Sequence, residues 1–215
     1  MSNRRRRPRE NPLDSWVPKT RLGRMVFEGQ ITSIYEIFEE GYRIKEVEIV
    51  DVLVPELRDD VVDINLVQKQ TDAGERSRFR AVVAMGNDDG LIGVGIGKAP
   101  RVRNAIEKGI RDAKMKLYPI RRGCGSWECD CGEPHSVPFK VSGKSGSVTM
   151  TLIPGSKGLG LVAGDIAKRV LTLAGVKDCW SKSIGATQTT VSFSLATFEA
   201  LKNTMTLMTP QDWAM

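Results

Sequence analysis

The pattern of hydrophobic positions between residues 61 and 118 predicts three short strands followed by one helix. The strands are expected over residues 62–67, 79–85 and 91–96, and a polar Asn-Asp-Asp-Gly turn separates the last two. Pro100 then opens a helix to about Leu117, with apolar residues on one side and basic residues round the other. Residues 61–118 are therefore predicted to form a small α+β domain of β-β-β-α order.

A second alternating pattern begins at Val148 and predicts another α+β domain over residues 148–215. Val148, Met150 and Leu152 alternate with threonines, which is typical of a half-buried strand. A glycine-rich loop follows, and then a helix over about 163–174, a strand over 176–184 and a final helix reaching about Met205. Residues 119–147 are dense in Gly, Pro and Cys and predict an irregular connector.

The first 60 residues show less regular patterning. Residues 1–12 combine arginine, proline and asparagine with little to bury, and predict a disordered basic arm that is either a solvated tail or an RNA contact. Residues 13–60 predict an extension with one helix. Ser33 and Glu36 form a capping box at its start, and Gly41 ends it in a left-handed turn.

Composition narrows the classes of partner. The chain of 215 residues has 32 Lys and Arg against 26 Asp and Glu, an excess that favours a polyanionic partner. No apolar run approaches the roughly 20 residues that cross a bilayer, and the arginine-rich start lacks the apolar segment of a signal peptide. We therefore expect a cytoplasmic protein without a membrane partner. In that compartment cysteines are thiols or metal ligands rather than disulfides.

Three of the four cysteines and the only histidine are concentrated in the connector. Cys124, Cys129, Cys131 and His135 lie within twelve residues. Three thiolates and an imidazole are suitable donors for a tetrahedral structural zinc ion, with no open position for catalysis. The single residue between Cys129 and Cys131 is tighter than the usual spacing, so reduced thiols beside a surface histidine remain the alternative. Cys179, in a predicted strand, is expected to be a core residue.

Two glycine-rich segments suggest phosphate binding at first sight. Gly93, Gly95 and Gly97 precede Lys98 and a helix, but the spacing of a phosphate loop is not met, so these glycines are expected to allow close backbone approach or an RNA-phosphate contact. Residues 154–160 resemble the phosphate loop of small-molecule kinases of the galactokinase and homoserine kinase type. The serines that should follow are replaced by Leu161-Val162-Ala163. With one histidine and no triad candidate, an enzyme is not expected.

The ordered motifs of the chain resemble the family of the fifth ribosomal protein of the small subunit. The first domain carries Gln68-Lys69-Gln70-Thr71, Gly74, Arg78-Phe79, Val83-Ala84-Met85-Gly86-Asn87, Gly90, Gly93-Val94-Gly95 and Gly97-Lys98. The second carries Lys140-Val141, Gly146-Ser147-Val148, Leu152-Ile153-Pro154, Gly158-Leu159-Gly160 and Leu173-Ala174-Gly175-Val176. The segments 16–24 and 134–138 resemble the archaeal and eukaryotic branch, and the compact length and the cysteine cluster favour an archaeal member.

The resemblance implies a first domain of double-stranded-RNA-binding type and a second domain of the kinase-like type found in this ribosomal family. It also implies binding to small-subunit ribosomal RNA beside the third, fourth and eighth small-subunit proteins, near the path of messenger RNA, with roles in assembly and decoding accuracy. The segment from Thr71 to Ser77 is expected to be a loop that reaches into RNA, although Asp72 and Glu75 make it less basic than phosphate contact alone predicts. The residues expected on RNA are Lys69, Arg76, Arg78, Arg80, Lys98, Arg101, Arg121, Arg122, Lys144 and Lys157.

Two other functions fit parts of the sequence. A free-standing RNA-binding regulator could use the first domain, but the second domain and the segment around Trp16 resemble the ribosomal family. A metal-dependent interaction module without RNA binding would show no salt-sensitive affinity for ribosomal RNA. An RNA-bound protein should lose affinity by roughly one power of salt concentration per neutralised phosphate.

Overall fold

A computed structural model of the chain describes residues 16–207, which divide into two compact units at residues 55 and 56. The predicted basic arm, residues 1–12, lies outside the described residues. In the first unit the helices are α1 (Arg21–Phe27), α2 (Ile34–Glu39) and α3 (Val47–Leu53). They bury a small core of Leu22, Val26, Ile34, Ile37, Ile49 and Val50.

The prediction of a single helix in this extension was incomplete, because only α2 has a recognisable start. Its N-cap is Ser33, whose hydroxyl accepts from the Tyr35 N–H, and Gly41 follows with φ 71°. The Glu36 carboxylate reaches back to the N–H of Thr32 and not to Ser33, so the capping box is displaced by one residue. The helices α1 and α3 have seven residues each, which is too short for a helical period to be evident in the sequence.

A carboxylate fixes the chain entering α1. Glu46 accepts from the Trp16 indole at 2.9 Å and from the backbone N–H groups of Lys19 and Thr20. Desolvation raises the pKa of Glu46, but the hydrogen bonds from Thr20, Trp16 and Lys19 outweigh it, so the pKa lies below its usual value. The ionised form is therefore the one that holds the start of this unit in place.

The second unit begins with the predicted three strands and helix. Strands β1 (Arg58–Thr71), β2 (Gly74–Gly86), β3 (Leu91–Ala99) and the short β4 (Tyr118–Pro119) form an antiparallel sheet in that order, with a register shift in β1 between Val61 and Asp63. Helix α4 (Val102–Met115) packs on one face of this sheet. The β-β-β-α prediction is confirmed, with strands longer than the hydrophobic pattern indicated.

The glycines of β3 bring the backbone of α4 close to the sheet. A Cβ on Gly95 would lie 2.2 Å from the Gly109 carbonyl oxygen, and one on Gly97 would lie 1.9 Å from that of Ala105. No side chain fits in that space, so the interpretation that these glycines allow close backbone approach is confirmed. The glycines of β3 therefore allow this strand to pack directly against α4.

The second half of this unit contains another four-stranded sheet. Its strands are β5 (Val141–Ser145), β6 (Val148–Pro154), β7 (Leu161–Val162) and β8 (Cys179–Ile184), in the order β5-β6-β8-β7, with β7 parallel to β8. The helices are α5 (Asp165–Leu173) and α6 (Thr190–Lys202), followed by a 3₁₀ turn (Asn203–Thr206). The predicted α+β domain is confirmed.

The connector predicted over residues 119–147 ends earlier than expected, because its last residues form a strand. Residues 141–145 form β5, which pairs with β6 through the turn at Gly146, where φ is 60°. The sequence concealed this strand, because Val141 is its one large apolar residue and the other inward positions are occupied by Gly143 and Ser145. The remaining connector makes one isolated bridge between Gly123 and Ser136.

One hydrophobic core joins the two sheets. Val82 and Ala84 of β2 and Ile92 and Val94 of β3 belong to the same buried cluster as the inner residues of the second sheet and of α5 and α6. One face of the first sheet therefore carries α4, while part of its other face is buried against the second half of the unit.

Candidate nucleic-acid interface and metal centre

Five of the predicted RNA contacts lie on one face of the first sheet. The antiparallel register places Lys69 opposite Arg76, Val67 opposite Arg78 and Asn65 opposite Arg80, and Arg80 is opposite Lys98 of β3. Alternate residues of a strand share a face, so these side chains form one patch. We call Lys69, Arg76, Arg78, Arg80 and Lys98 the basic face; it continues the face that Val82 and Ala84 bury further along β2.

Strands β1 and β2 form a long hairpin, and the reverse side of this hairpin carries no lysine or arginine opposite the basic face. Gln68 pairs with Ser77 and Gln70 with Glu75. Glu75 therefore points away from the basic face, although the sequence suggested that it dilutes the local charge. The segment from Thr71 to Ser77, expected as a loop, is mostly strand: Thr71 and Gly74 pair around a two-residue turn. The fold thus separates charges that the sequence mixes.

Arg80 is the most enclosed member of the basic face. Its side chain is half-buried, and its Nε is the buried side-chain polar atom that lacks a hydrogen-bond partner among residues 16–207. Lys69, Arg76, Arg78 and Lys98 are exposed. Arg101, the exposed N-cap of α4, lies three residues beyond Lys98.

Arg122 makes contacts inside the protein. Its guanidinium donates to the carbonyl oxygens of Asp88 and Gly175, both at 3.4 Å, and forms an ion pair with Asp89. Its side chain is only 17% exposed. Arg121 donates to the Leu207 carbonyl. Arg121 and Arg122, both predicted to contact RNA, therefore lie outside the basic face and form hydrogen bonds within the protein.

Lys144 and Lys157 lie in the second half of the unit. Lys144 is an exposed residue of β5 opposite Thr149. Lys157 forms an ion pair with Glu133 at 2.7 Å, which raises the pKa of Lys157 and lowers that of Glu133. The kinase-like loop around Lys157 does not offer free backbone amides, because the N–H groups of Gly158 and Gly160 donate to one carboxylate oxygen of Asp178.

The four predicted metal ligands converge. The sulfur atoms of Cys124, Cys129 and Cys131 and a ring nitrogen of His135 all lie within 4.8 Å of one another. The Cys129 sulfur is 3.8 Å from Nε2 of His135. Tetrahedral zinc, with bonds of about 2.3 Å to sulfur and about 2.1 Å to nitrogen, would hold two such atoms about 3.6 Å apart. The residues therefore fit a four-coordinate metal ion.

The surroundings of the sulfur atoms favour one thiolate. A hydrogen bond from the Lys157 N–H, together with one from Cys131, lowers the pKa of Cys129 to about 6. The Glu133 N–H lowers the pKa of Cys131, but desolvation and the neighbouring Cys129 and Cys124 raise it by more. By contrast, burial raises the pKa of Cys179 to about 11. Cys179 is fully buried, as predicted for a core residue.

The structure adds a residue that sequence spacing did not indicate. The Asp178 carboxylate accepts a hydrogen bond from Nδ1 of His135 at 2.9 Å, and both side chains are almost completely buried. This leaves Nε2 of His135 facing the sulfur atoms. A carboxylate on the second nitrogen is the usual means of orienting a metal-bound histidine. Asp178 is 43 positions away along the chain, so only the fold brings it to the cluster.

Comparison with known proteins gives the class and then the family. Two family profiles match the chain: Ribosomal protein S5, N-terminal domain, over residues 57–121, and Ribosomal protein S5, C-terminal domain, over residues 143–215. Both describe ribosomal proteins, and together they cover more than half of the sequence. No helix within residues 16–207 is both long and apolar enough to span a membrane.

Similar curated proteins agree over nearly the whole chain. The protein named Small ribosomal subunit protein uS5 from Pyrobaculum arsenaticum is 64% identical over 192 residues, covering 89% of this chain and 95% of the relative. Those of the same name from Ignicoccus hospitalis and Sulfolobus acidocaldarius are 58% and 56% identical, covering 93% and 94% of this chain and 95% and 94% of the relatives. The chain belongs to the ribosomal protein S5 family, and the resemblance to its archaeal branch is confirmed.

Proposed function

We propose that the chain is a non-enzymatic constituent of the small ribosomal subunit in the cytoplasm and that it binds ribosomal RNA through the basic face. The observation that carries this proposal is the segregation of Lys69, Arg76, Arg78, Arg80 and Lys98 on one side of the first sheet. Membership of the ribosomal protein S5 family supports it.

The basic face suits phosphate contacts better than base reading. Its exposed side chains are long and cationic, and arginine presents a planar fork of donors that matches phosphate oxygens. The hairpin strands are 14 and 13 residues long and extend beyond the part of the sheet that the core covers. Phosphate contacts fix the position of a protein on RNA without selecting a sequence. The proposed role of the hairpin is therefore to anchor the protein on folded ribosomal RNA.

The wider roles follow the same proposal. A protein anchored in this way would stabilise the RNA during subunit assembly, beside the third, fourth and eighth small-subunit proteins and near the path of messenger RNA, where it would influence decoding accuracy. Arg101, beside Lys98, is proposed to add to the basic face. For Lys144 we propose a separate RNA contact. For Arg121, Arg122 and Lys157 the hydrogen bonds and ion pairs within the protein favour a supporting role.

A composition-neutral exchange tests the proposal. In the variant Gln68→Lys, Lys69→Gln, Arg76→Ser, Ser77→Arg, two charges move to the opposite face of the hairpin while net charge and composition stay the same. All four positions are exposed. The full chain and this variant would be titrated with a fragment of small-subunit ribosomal RNA over a range of salt concentrations. We expect weaker binding and a slope of log affinity against log salt that is less steep by about 0.9 per lost phosphate contact.

The control is the same protein with the charges removed and not moved, Lys69→Gln and Arg76→Ser. If the basic face binds RNA, both variants lose affinity to a similar extent. If the exchanged variant binds as well as the original chain, net charge and not the face determines binding, and the proposal is wrong.

We further propose that Cys124, Cys129, Cys131 and His135 hold a structural zinc ion. The convergence of four donors within 4.8 Å and the Asp178 carboxylate on His135 support this assignment. When bound, zinc would cross-link the connector, and Asp178 would extend that link to the loop at Gly158 and Gly160. Elemental analysis of the purified chain should give one zinc per protein, and Cys131→Ser should abolish it. Zinc-free protein with unchanged folding would contradict the proposal.

A further inference from the structure

The outer face of the second sheet is distinct from the basic face. Its inner residues are buried: Val141, Val148, Met150, Leu152 and Cys179. Helix α6 packs on that side so closely that a Cβ on Gly143 would lie 2.1 Å from the Ala200 nitrogen. The alternate residues point the other way. They are Ser142, Lys144, Thr149, Thr151, Ile153, Val162, Trp180, Lys182 and Ile184, all of them exposed or half-buried.

The strand register arranges these residues in rows. Lys144, Thr149 and Ile184 form one row, and Ser142, Thr151 and Lys182 form the next. The third row contains Ile153, Trp180 and Val162. Trp180 is 47% exposed, Ile184 57% and Val162 40%, so this side of the sheet leaves large apolar side chains uncovered. We call this set the outer sheet face.

The chemistry of the outer sheet face is that of a platform for unpaired nucleotides. Its members include two lysines and three hydroxyl side chains but no aspartate or glutamate. An exposed indole on an open sheet face offers a surface on which a base can stack. Lys182 in the adjacent row and Lys144 in the row beyond it offer cations for the neighbouring phosphates. A protein partner would need carboxylates placed opposite both Lys144 and Lys182, whereas every nucleotide of an RNA strand supplies an anionic phosphate.

We propose that the outer sheet face binds a single-stranded segment of RNA, with one base stacked on Trp180 and phosphates contacted by Lys144 and Lys182. This inference rests on the proposed function, since it presupposes an RNA-bound protein. It adds a second contact of a different kind. The basic face holds phosphates of folded RNA, whereas the outer sheet face takes up unpaired bases.

Binding of the full chain to a fluorescein-labelled 12-nucleotide oligouridylate tests this proposal. Trp180→Ala should weaken binding about tenfold, the loss expected for one base–aromatic stack, and Trp180→Phe should retain most of the affinity. Trp127→Ala is the matched control, because Trp127 is 93% exposed on the connector and should change affinity less than twofold. Lys182→Gln should reduce the salt slope by about 0.7. Equal affinities for Trp180→Ala and the original chain would overturn the proposal.

Cross-linking in assembled small subunits distinguishes RNA from protein as the occupant. With the photoreactive residue p-benzoylphenylalanine in place of Ile184, we expect cross-links to an unpaired ribosomal RNA segment. Cross-links to proteins alone would overturn the proposal and identify the face as a protein-docking surface. The outcome is separable from that of the charge-exchange experiment on the hairpin: failure there removes the proposed function, whereas failure here alone leaves the basic face intact.

Discussion

The basic face and the cysteine connector differ in how their side chains are held. On the hairpin, Lys69 and Arg76 are exposed and positioned mainly by strand register. In the connector, His135 is buried, and its Nδ1 lies 2.9 Å from the carboxylate of Asp178, a buried residue just before β8. Its Nε2 lies 3.8 Å from the Cys129 sulfur. The charges of the hairpin are therefore expected to contribute little to the free energy of unfolding. The connector holds donor groups that only the fold brings together, and a metal ion bound there is expected to stabilise the fold in turn.

The difference shows where substitutions act. An exposed cation on a strand interacts mostly with water, so its removal should change the stability of the protein little, and its effect is expected in the proposed binding to RNA. A buried histidine that donates a hydrogen bond to a buried carboxylate cannot be replaced by an apolar residue without leaving that carboxylate without its partner. Substitutions on the hairpin should therefore lower RNA affinity and leave stability unchanged, whereas substitutions at the His135–Asp178 pair should lower stability.

The largest effect is expected from removing the metal. Chelation of the zinc-loaded chain should lower the free energy of unfolding by on the order of 10 kcal/mol, since the binding of structural zinc contributes about 10 to 16 kcal/mol in zinc-finger peptides. Denaturant unfolding with and without chelator measures this. The charge-exchanged hairpin variant is the control and should respond to the chelator as the original chain does. Coincident unfolding curves with and without chelator would contradict the structural role of the metal.

A smaller loss is expected from Asp178→Asn. The substitution removes the carboxylate charge from His135 and weakens the acceptor for Gly158 and Gly160. Zinc affinity, measured by competition with a chromophoric chelator, should fall roughly 10- to 100-fold. Glu133→Gln, which removes an exposed carboxylate of the same connector, is the control and should change zinc affinity little. An unchanged affinity in Asp178→Asn would mean that the pair does not orient the ligand.

Arg122→Gln should affect stability more than RNA binding. Its guanidinium links Asp88, Asp89 and Gly175, so its loss should cost about 1 to 3 kcal/mol of unfolding free energy. Urea unfolding and RNA titration of the same preparation measure the two quantities. A variant of normal stability with reduced RNA affinity would contradict this supporting role and indicate that Arg122 contacts RNA.

The smallest change in stability is expected for the hairpin. Moving the charges of Lys69 and Arg76 to the opposite face should leave the free energy of unfolding within about 0.5 kcal/mol of the original, because all of the exchanged positions are exposed. Urea unfolding of the variant used for RNA titration measures this. A greater loss would show that the two regions are not as different as their contacts indicate.

Most of the fold could be predicted from local patterns. The strands 79–85 and 91–96, the amphipathic helix after Pro100 and the alternation at Val148 each carry a period that the structure retains. Strand β5 and the helices α1 and α3 were missed because they are short or lack a regular period. Their formation depends on neighbours elsewhere in the chain, such as β6 for β5.

The sequence by itself determined the composition of both regions: a set of lysines and arginines near residues 69–98 and three cysteines with a histidine in twelve residues. Only the tertiary structure decided which of those charges share a face, because strand pairing joins Lys69 to Arg76 and Arg80 to Lys98 and turns Glu75 away. It also brought Asp178 to His135. Register and long-range packing are properties of several segments together, and no single segment of sequence contains them.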